Sequence, residues 1–192
     1  MPLNAFFSAH TATTEAYRAH ITKVCKVIFY KAGEMVKFPG VSKKAAYFVA
    51  KGLLITYTVD QQRRQRIIDF TWEKQTCAST AATYFVSTND DYIQCVEDSI
   101  IIQFSIANII YIISHFREGR IFYKKSLKQI LRRSLTHLIL MQIDDKVHRL
   151  LKFEEVFKEL LPRLSIELRA NYLSIHRSTL HKAQRFILKK KP

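Results

Sequence analysis

From Arg163 to Ile187 the chain reads RLSIELRANYLSIHRSTLHKAQRFI, and its side chains suit contact with nucleic acid. Arg177, Lys182 and Arg185 can donate to phosphate oxygens or to the acceptor edge of guanine, while Ser178, Thr179 and His181 offer shorter polar contacts. Their spacing implies the elements that would carry them. One helix is predicted over Ile166 to Leu173, beginning after Pro162 with Ser165 as a possible cap. Its first turn holds Glu167, where the positive end of the helix dipole favours a carboxylate. A break at Ser174 and Ile175 leads to a second helix from Arg177 to about Leu188. Leu180, Ala183, Ile187 and Leu188 recur on one of its faces, and the basic residues lie opposite. Small Ala170 stands where two crossing helices must approach closely, and no Asp or Glu occurs from Leu168 onward. This is the pattern of a DNA-binding helix-turn-helix, whose second helix would enter the major groove. An ordinary helical hairpin with a solvated basic face would have the same spacing.

The distribution of charge favours the first reading. Of the 192 residues, 31 are Lys or Arg and 16 Asp or Glu, giving a formal charge of +15. Residues 116–192 hold 19 Lys and Arg against 7 Asp and Glu, and residues 1–115 hold 12 against 9. The excess therefore sits with the helix-turn-helix, where it would attract a phosphate backbone by counterion release; an acidic membrane surface would attract it too. MPLNAFFSAHTATTEAYRAH lacks the layout of a secretory signal, so a cytoplasmic location is expected. Cys25, Cys77 and Cys95 are odd in number and lack CxxC spacing, which argues against disulfides, zinc or a four-cysteine cluster and for reduced, buried thiols. The seven histidines, His10, His20, His115, His137, His148, His176 and His181, show no ligand spacing. With no Gly-rich phosphate loop or nucleophile elbow, no metal, cofactor or enzymatic activity is expected. The uncharged run Ser99 to Phe116 carries Gln103, Asn108 and His115, expensive groups in lipid. It reads as a strand at Ile100 to Phe104 and a core helix from about Ile106 capped by Ser105, not as a membrane span.

From Cys25 to Thr71, short β-rich runs (VCKVIFY, MVKF, AAYFVA, LLITYTVD, RIIDFT) alternate with turns at Lys31 to Glu34, Pro39-Gly40, Gly52 and Gln61 to Arg64, as in an antiparallel sandwich or barrel. Tyr92 to Val96 and Ile100 to Phe104 extend the system, and no strand is expected after Phe116. A long helix is predicted from about Glu118 to Gln142. Tyr123, Leu127, Leu131, Ser134, Leu138 and Met141 form a seam along it, with Phe122, Leu135 and Ile139 on a second face. The seam suits a dimer interface and also a helix packed on its own β-domain. A helix pair near Asp144 to Phe153 and Glu154 to Leu161 leads to Pro162.

The order of these parts, a β-roll, a seam helix and a terminal helix-turn-helix, resembles the Crp/Fnr superfamily of bacterial regulators related to the cyclic-AMP receptor protein. FYKAGEMVKFPG (29–40), AYFVAKGLLITYTVD (46–60), CVEDSIIIQFS (95–105) and LRANYLSIHRSTLHKAQRFI (168–187) carry the likeness over nearly the whole chain. The resemblance implies an α+β fold: an antiparallel, cyclic-nucleotide-binding-like β-roll at 1–115, a long dimerisation helix at 116–142, and a helix-turn-helix domain at 143–192. It implies that Arg177, Ser178 and Lys182 read bases while Thr179, His181 and Arg185 lie near the backbone. Double-stranded DNA, a second copy and RNA polymerase become the expected partners. The chain departs from the family pattern in several ways. Ser174 stands where Gly is common at the turn, and His176 stands at the cap of the second helix. A C-terminal β-wing is expected to be absent or displaced. Members that bind cyclic AMP carry Gly-Glu before a short helix and Arg-Ser after it, because a buried phosphodiester needs a cation and N–H donors. In EKQTCASTAATYFVSTNDDYIQC (73–95) these are missing, and Asn89, Asp90 and Asp91 stand near the Arg-Ser position, so cyclic AMP is not expected to bind.

The expected function is a dimeric, sequence-specific transcription regulator with an unidentified effector at a degenerate cyclic-nucleotide pocket. The alternative is a ligand- or protein-binding signalling module whose basic tail binds nucleic acid non-specifically.

Overall fold

The computed structural model describes residues 3, 6–7, 13–40, 45–78 and 91–190, with backbone alone for 188–190. Among the described residues eight strands form two four-stranded sheets: β1 (Lys26–Tyr30), β2 (Met35–Lys37), β3 (Ala45–Lys51), β4 (Leu54–Val59), β5 (Gln65–Thr71), β6 (Thr76–Ala78), β7 (Tyr92–Cys95) and β8 (Ser99–Ser105). The first sheet has the order β1-β8-β3-β6 and the second β2-β7-β4-β5. The β1–β8, β3–β8 and β4–β7 pairings are antiparallel, with Tyr30 opposite Ser99, Tyr47 opposite Gln103 and Leu54 opposite Cys95. This is the α+β architecture with an N-terminal β-roll that the pattern implied.

The chain parts into two compact units that do not follow sequence order. Residues 1–57 and 70–132 form one, and residues 58–69 and 133–192 the other. In the first, β3 is buried on both faces, so its run AAYFV does not alternate. Tyr47 and Val49 join Leu54, Cys77, Ile93, Cys95 and Ile101 in one core, and Phe48 joins Phe6, Tyr17, Ile21, Ile102, Phe104 and Ile112 in another. The second core lies under helices α1 (Glu15–Val24) and α2 (Ile106–His115) and holds an apolar cavity of about 120 Å³ lined by Phe48, Phe104, Phe122 and Leu127. Helix α1 was not anticipated, although its signals are local. The Thr14 side chain caps it by accepting from the Tyr17 N–H, and Tyr17 and Ile21, four apart, are its buried residues. Ser105 caps α2 as expected, accepting from Asn108 N–H. Gly52 sits at φ 106°, and a Cβ there would collide with Ser99, which explains the glycine between β3 and β4.

Helix α3 runs from Arg117 to Met141 and contributes to both units. Its start permits close approach, since a Cβ on Gly119 would strike Ile112 of α2. The expected second helix at Glu154 to Leu161 does not form. Helix α4 is a single element, Lys146–Val156, followed by a turn and one 3-10 turn at Leu161–Arg163. Phe157, Leu160 and Leu164 remain buried there, so apolar spacing persists where the backbone is no longer α-helical. None of the three cysteines is in a disulfide; Cys77 and Cys95 are buried and Cys25 partly so. Burial pushes the Cys95 thiol up to about 11.

Candidate nucleic-acid interface

In the second unit, helix α5 (Ile166–Tyr172) and helix α6 (Arg177–Lys190) form the helix-turn-helix. Ser165 begins α5, its hydroxyl accepting from Leu168 N–H at 3.2 Å. The helix ends in a double hydrogen bond, from Ser174 N–H to Asn171 O and from Ile175 N–H to Ala170 O, both 3.0 Å. That closure requires a left-handed residue, and Ser174 supplies it at φ 52°. A serine therefore occupies the position where glycine would be unstrained.

His176 at the N-terminus of α6 does cap it. Its Nδ1 accepts from Ser178 N–H at 3.3 Å and lies 2.8 Å from the Ser178 hydroxyl. The imidazole thus replaces the usual Ser or Thr oxygen. The inward face of α6 buries Leu180 and Ala183, and Ala170 is buried on α5. Behind them Phe153, Phe157 and Tyr172 pack ring to ring at 4.9 to 5.6 Å. Burial holds the Tyr172 phenol far above its usual range.

Of the residues predicted to face DNA, Arg177, Ser178, Lys182 and Arg185 are exposed, and Thr179 and His181 are half-buried at the edge of the same face. Arg177 Nη1 lies 2.9 Å from Glu167 Oε1 across the start of the two helices, both side chains well exposed. Two further arginines are committed to the scaffold. Arg149 on α4 donates to Leu173 O at 3.0 Å and to Ile143 O at 2.8 Å, and Arg169 donates to Leu164 O and Leu161 O. They clamp the ends of α5, so the positive charge of this region exceeds what a duplex can use.

Sequence reasoning missed Asn171. Its Oδ1 accepts from Ile67 N–H at 2.8 Å and its Nδ2 donates to Gln65 O at 3.0 Å, pairing with β5 as a neighbouring strand would. Arg133 grips Asp69 of the same strand with Nε 2.9 and 3.0 Å from the two carboxylate oxygens, and His137 packs edge-on against Tyr172 at 4.5 Å. These partners lie 64 to 106 residues apart, or 35 for the ring pair, beyond the reach of local periodicity.

Along α3, Leu131, Ser134 and Leu138 of the predicted seam are exposed, while Tyr123, Leu127 and Met141 are half-buried. Phe122 packs inward as the second face required. Leu135 and Ile139 do not: they are 47% and 58% exposed, because Ser126, Arg133 and Leu140 take the inward positions. The second half of α3 thus presents Leu131, Leu135, Leu138 and Ile139 outward, spaced four, three and one apart.

Near the expected phosphate-binding stretch, Asn89 and Asp90 lie outside the described residues. Asp91 is not a free anion: its carboxylate meets Lys37 Nζ at 2.7 Å, and the two side chains are 2% and 4% exposed. Among the described residues no three His, Cys, Asp or Glu side chains converge as a metal site would need, and no helix is long and apolar enough to cross a membrane.

No protein-family profile and no curated protein matches the chain. Solved structures do. The c-di-GMP-responsive global regulator CLP of Xanthomonas campestris superposes with a TM-score of 0.73 at 11% identity, covering 92% of each chain. A cyclic-nucleotide-binding-domain protein from Listeria monocytogenes gives 0.73 at 14% identity over 100% of this chain and 92% of that one. A CRP-family transcriptional regulator from Thermus thermophilus gives 0.69 at 11% identity over 85% of each. At such identities the likeness is one of fold.

Proposed function

We propose that the protein is a dimeric, sequence-specific DNA-binding transcription regulator of the Crp/Fnr type, acting in the cytoplasm. The observation that carries this reading is helix α6. It is held by a Schellman-type turn and an imidazole cap, with Leu180 and Ala183 buried and Arg177, Ser178, Lys182 and Arg185 exposed on the other side. A helix so placed, at the end of a unit rich in Lys and Arg, suits the major groove. Regulators of this type bear the same fold, which supports the role without identifying an effector. The unit containing the β-roll receives the signal, and the outward leucines of α3 meet those of a second copy. A shift of the paired helices then alters the spacing of two recognition helices. Cyclic AMP is not the effector, since Lys37, a cation near the expected phosphate-binding stretch, is already neutralised by Asp91. Calorimetry is expected to show no saturable micromolar binding of cyclic AMP.

Selection of bound fragments from random DNA tests the reading. It is expected to yield a two-fold repeat with half-sites about one helical turn apart. Lys182→Ala is expected to weaken binding to the selected site more than to random duplex. Selection of no sequence, with equally strong salt-sensitive binding to any duplex, would instead establish a signalling module with a non-specific basic tail.

A further inference from the structure

The hairpin joining β4 to β5 belongs to the same compact unit as the helix-turn-helix, from Thr58 to Asp69. Its tip is DQQRRQR, residues 60–66, with three arginines against one carboxylate. Asp60 organises the loop. Its Oδ1 accepts from Gln62 N–H and Arg64 N–H, both at 2.9 Å, and its Oδ2 is engaged by Arg64 Nε at 2.9 Å and Arg66 Nε at 3.1 Å. These bonds, the Arg64 backbone N–H first, hold the Asp60 carboxyl at about 2. One carboxylate thus serves two guanidiniums. Arg63 is exposed and held at φ 60°, where glycine or asparagine would sit without strain. An arginine in that conformation invites a functional reading of its side chain.

The hairpin is anchored to α5, the first helix of the helix-turn-helix. Glu167 and Asn171 are one turn apart on α5 and therefore share a face. Glu167 meets Arg177 at the start of α6, and Asn171 holds the β5 backbone at Gln65 and Ile67. The hairpin therefore meets α5 on the face whose first turn carries Glu167, the partner of Arg177. It does not cover the recognition face, because Arg177, Ser178, Lys182 and Arg185 stay exposed with the hairpin in place.

We propose that the tip of this hairpin, Asp60 to Arg66, is a second DNA-contacting element that grips the phosphate backbone beside the recognition helix through Arg63 and Arg64. It does the work of a wing with a segment drawn from early in the chain. The partner is duplex DNA, and the contact is to phosphate: the loop presents guanidiniums without a rigid element able to enter a groove, so it supplies affinity and not sequence preference. This rests on the reading of the unit as DNA-binding.

Fluorescence anisotropy of the full chain on two duplexes, one carrying the site the protein selects from random sequence and one of scrambled sequence, tests it across a salt series. Arg63→Gln is expected to lower affinity by the same factor on both duplexes and to reduce the slope of log K against log salt by about 1 per protomer. Arg63→Glu should enlarge both effects, and Lys152→Gln, on the exposed side of α4, should produce neither. The inference is overturned if Arg63→Gln leaves the slope unchanged, or if it raises affinity, which would make the hairpin a restraint on the helix-turn-helix. Failure of the wider reading looks different, with the unaltered protein showing no preference for any duplex and Lys182→Ala acting equally on both. If it binds no duplex at all, both fall.

Discussion

The ion pair between Lys37 and Asp91 ties β2 to the residue preceding β7 at a depth where water cannot compensate either charge. Asp91→Ala would remove the carboxylate and leave the ammonium buried. Removing one partner of a buried pair costs roughly 3–5 kcal/mol, because the remaining charge loses most of what replaced its hydration. Here Lys37 Nζ would keep one acceptor, the Asp91 backbone carbonyl at 2.6 Å, so a loss near the lower limit, about 3 kcal/mol, is expected. In a unit of this size that lowers the melting temperature by roughly 10 °C. The double exchange Lys37→Met with Asp91→Leu removes both charges and fills similar volume, and it is expected to restore most of the loss. Trp72, the single tryptophan, lies in the same unit and reports its unfolding in urea. The reasoning fails if Asp91→Ala costs less than about 1 kcal/mol, or if the double variant is no more stable than the single one, since either outcome would mean that the ammonium is not desolvated.

Ser174→Gly is expected to stabilise the helix-turn-helix unit by about 0.5–1 kcal/mol, since relief of a left-handed serine outweighs the added freedom of the unfolded chain; an unchanged or lower thermal midpoint would contradict this. Burial lowers the pKa of His137, whose Nδ1 has no hydrogen-bond partner among the described residues. The folded state therefore prefers the neutral ring, and its stability should be full above the unfolded value of about 6.5 and fall as pH drops through it. Denaturation midpoints between pH 5 and 7.5 should show that slope, and His137→Leu should flatten it. Leu131→Lys with Leu138→Lys alters exposed positions, so the circular dichroism should be unchanged while light scattering reports a monomer in place of a dimer; a dimer that persists would place the interface elsewhere.

Much of this protein could be read without coordinates, for reasons that are local. Ser105, Ser165 and Glu167 mark helix starts within one turn, Leu180, Ala183 and Ile187 repeat at helical spacing, and alternating or β-branched runs mark the strands of the roll. Such signals act over a few residues, so the order of elements and the basic face of α6 follow from residue types alone. Ser174, standing where glycine is common, was legible as a point of strain, and the structure gives it a positive φ. The other determinants act across the fold. Leu135 and Ile139 have the spacing of a packed face, but the rotation of α3 that buries Arg133 on Asp69 leaves them exposed. His176 reads as a poor cap until its Nδ1 is found on the Ser178 amide. The Gln61 to Arg64 turn reads as a polar connection, and the hydrogen bonds between Asn171 and the β5 backbone, with the Arg133–Asp69 pair, attach its hairpin to helices far later in the chain. Sequence determined most of the segments that become helix or strand and where the positive charge collects, because those depend on near neighbours. Tertiary structure decided which faces are covered and which arginines remain free, because a side chain's partner is set by packing between segments far apart in the chain.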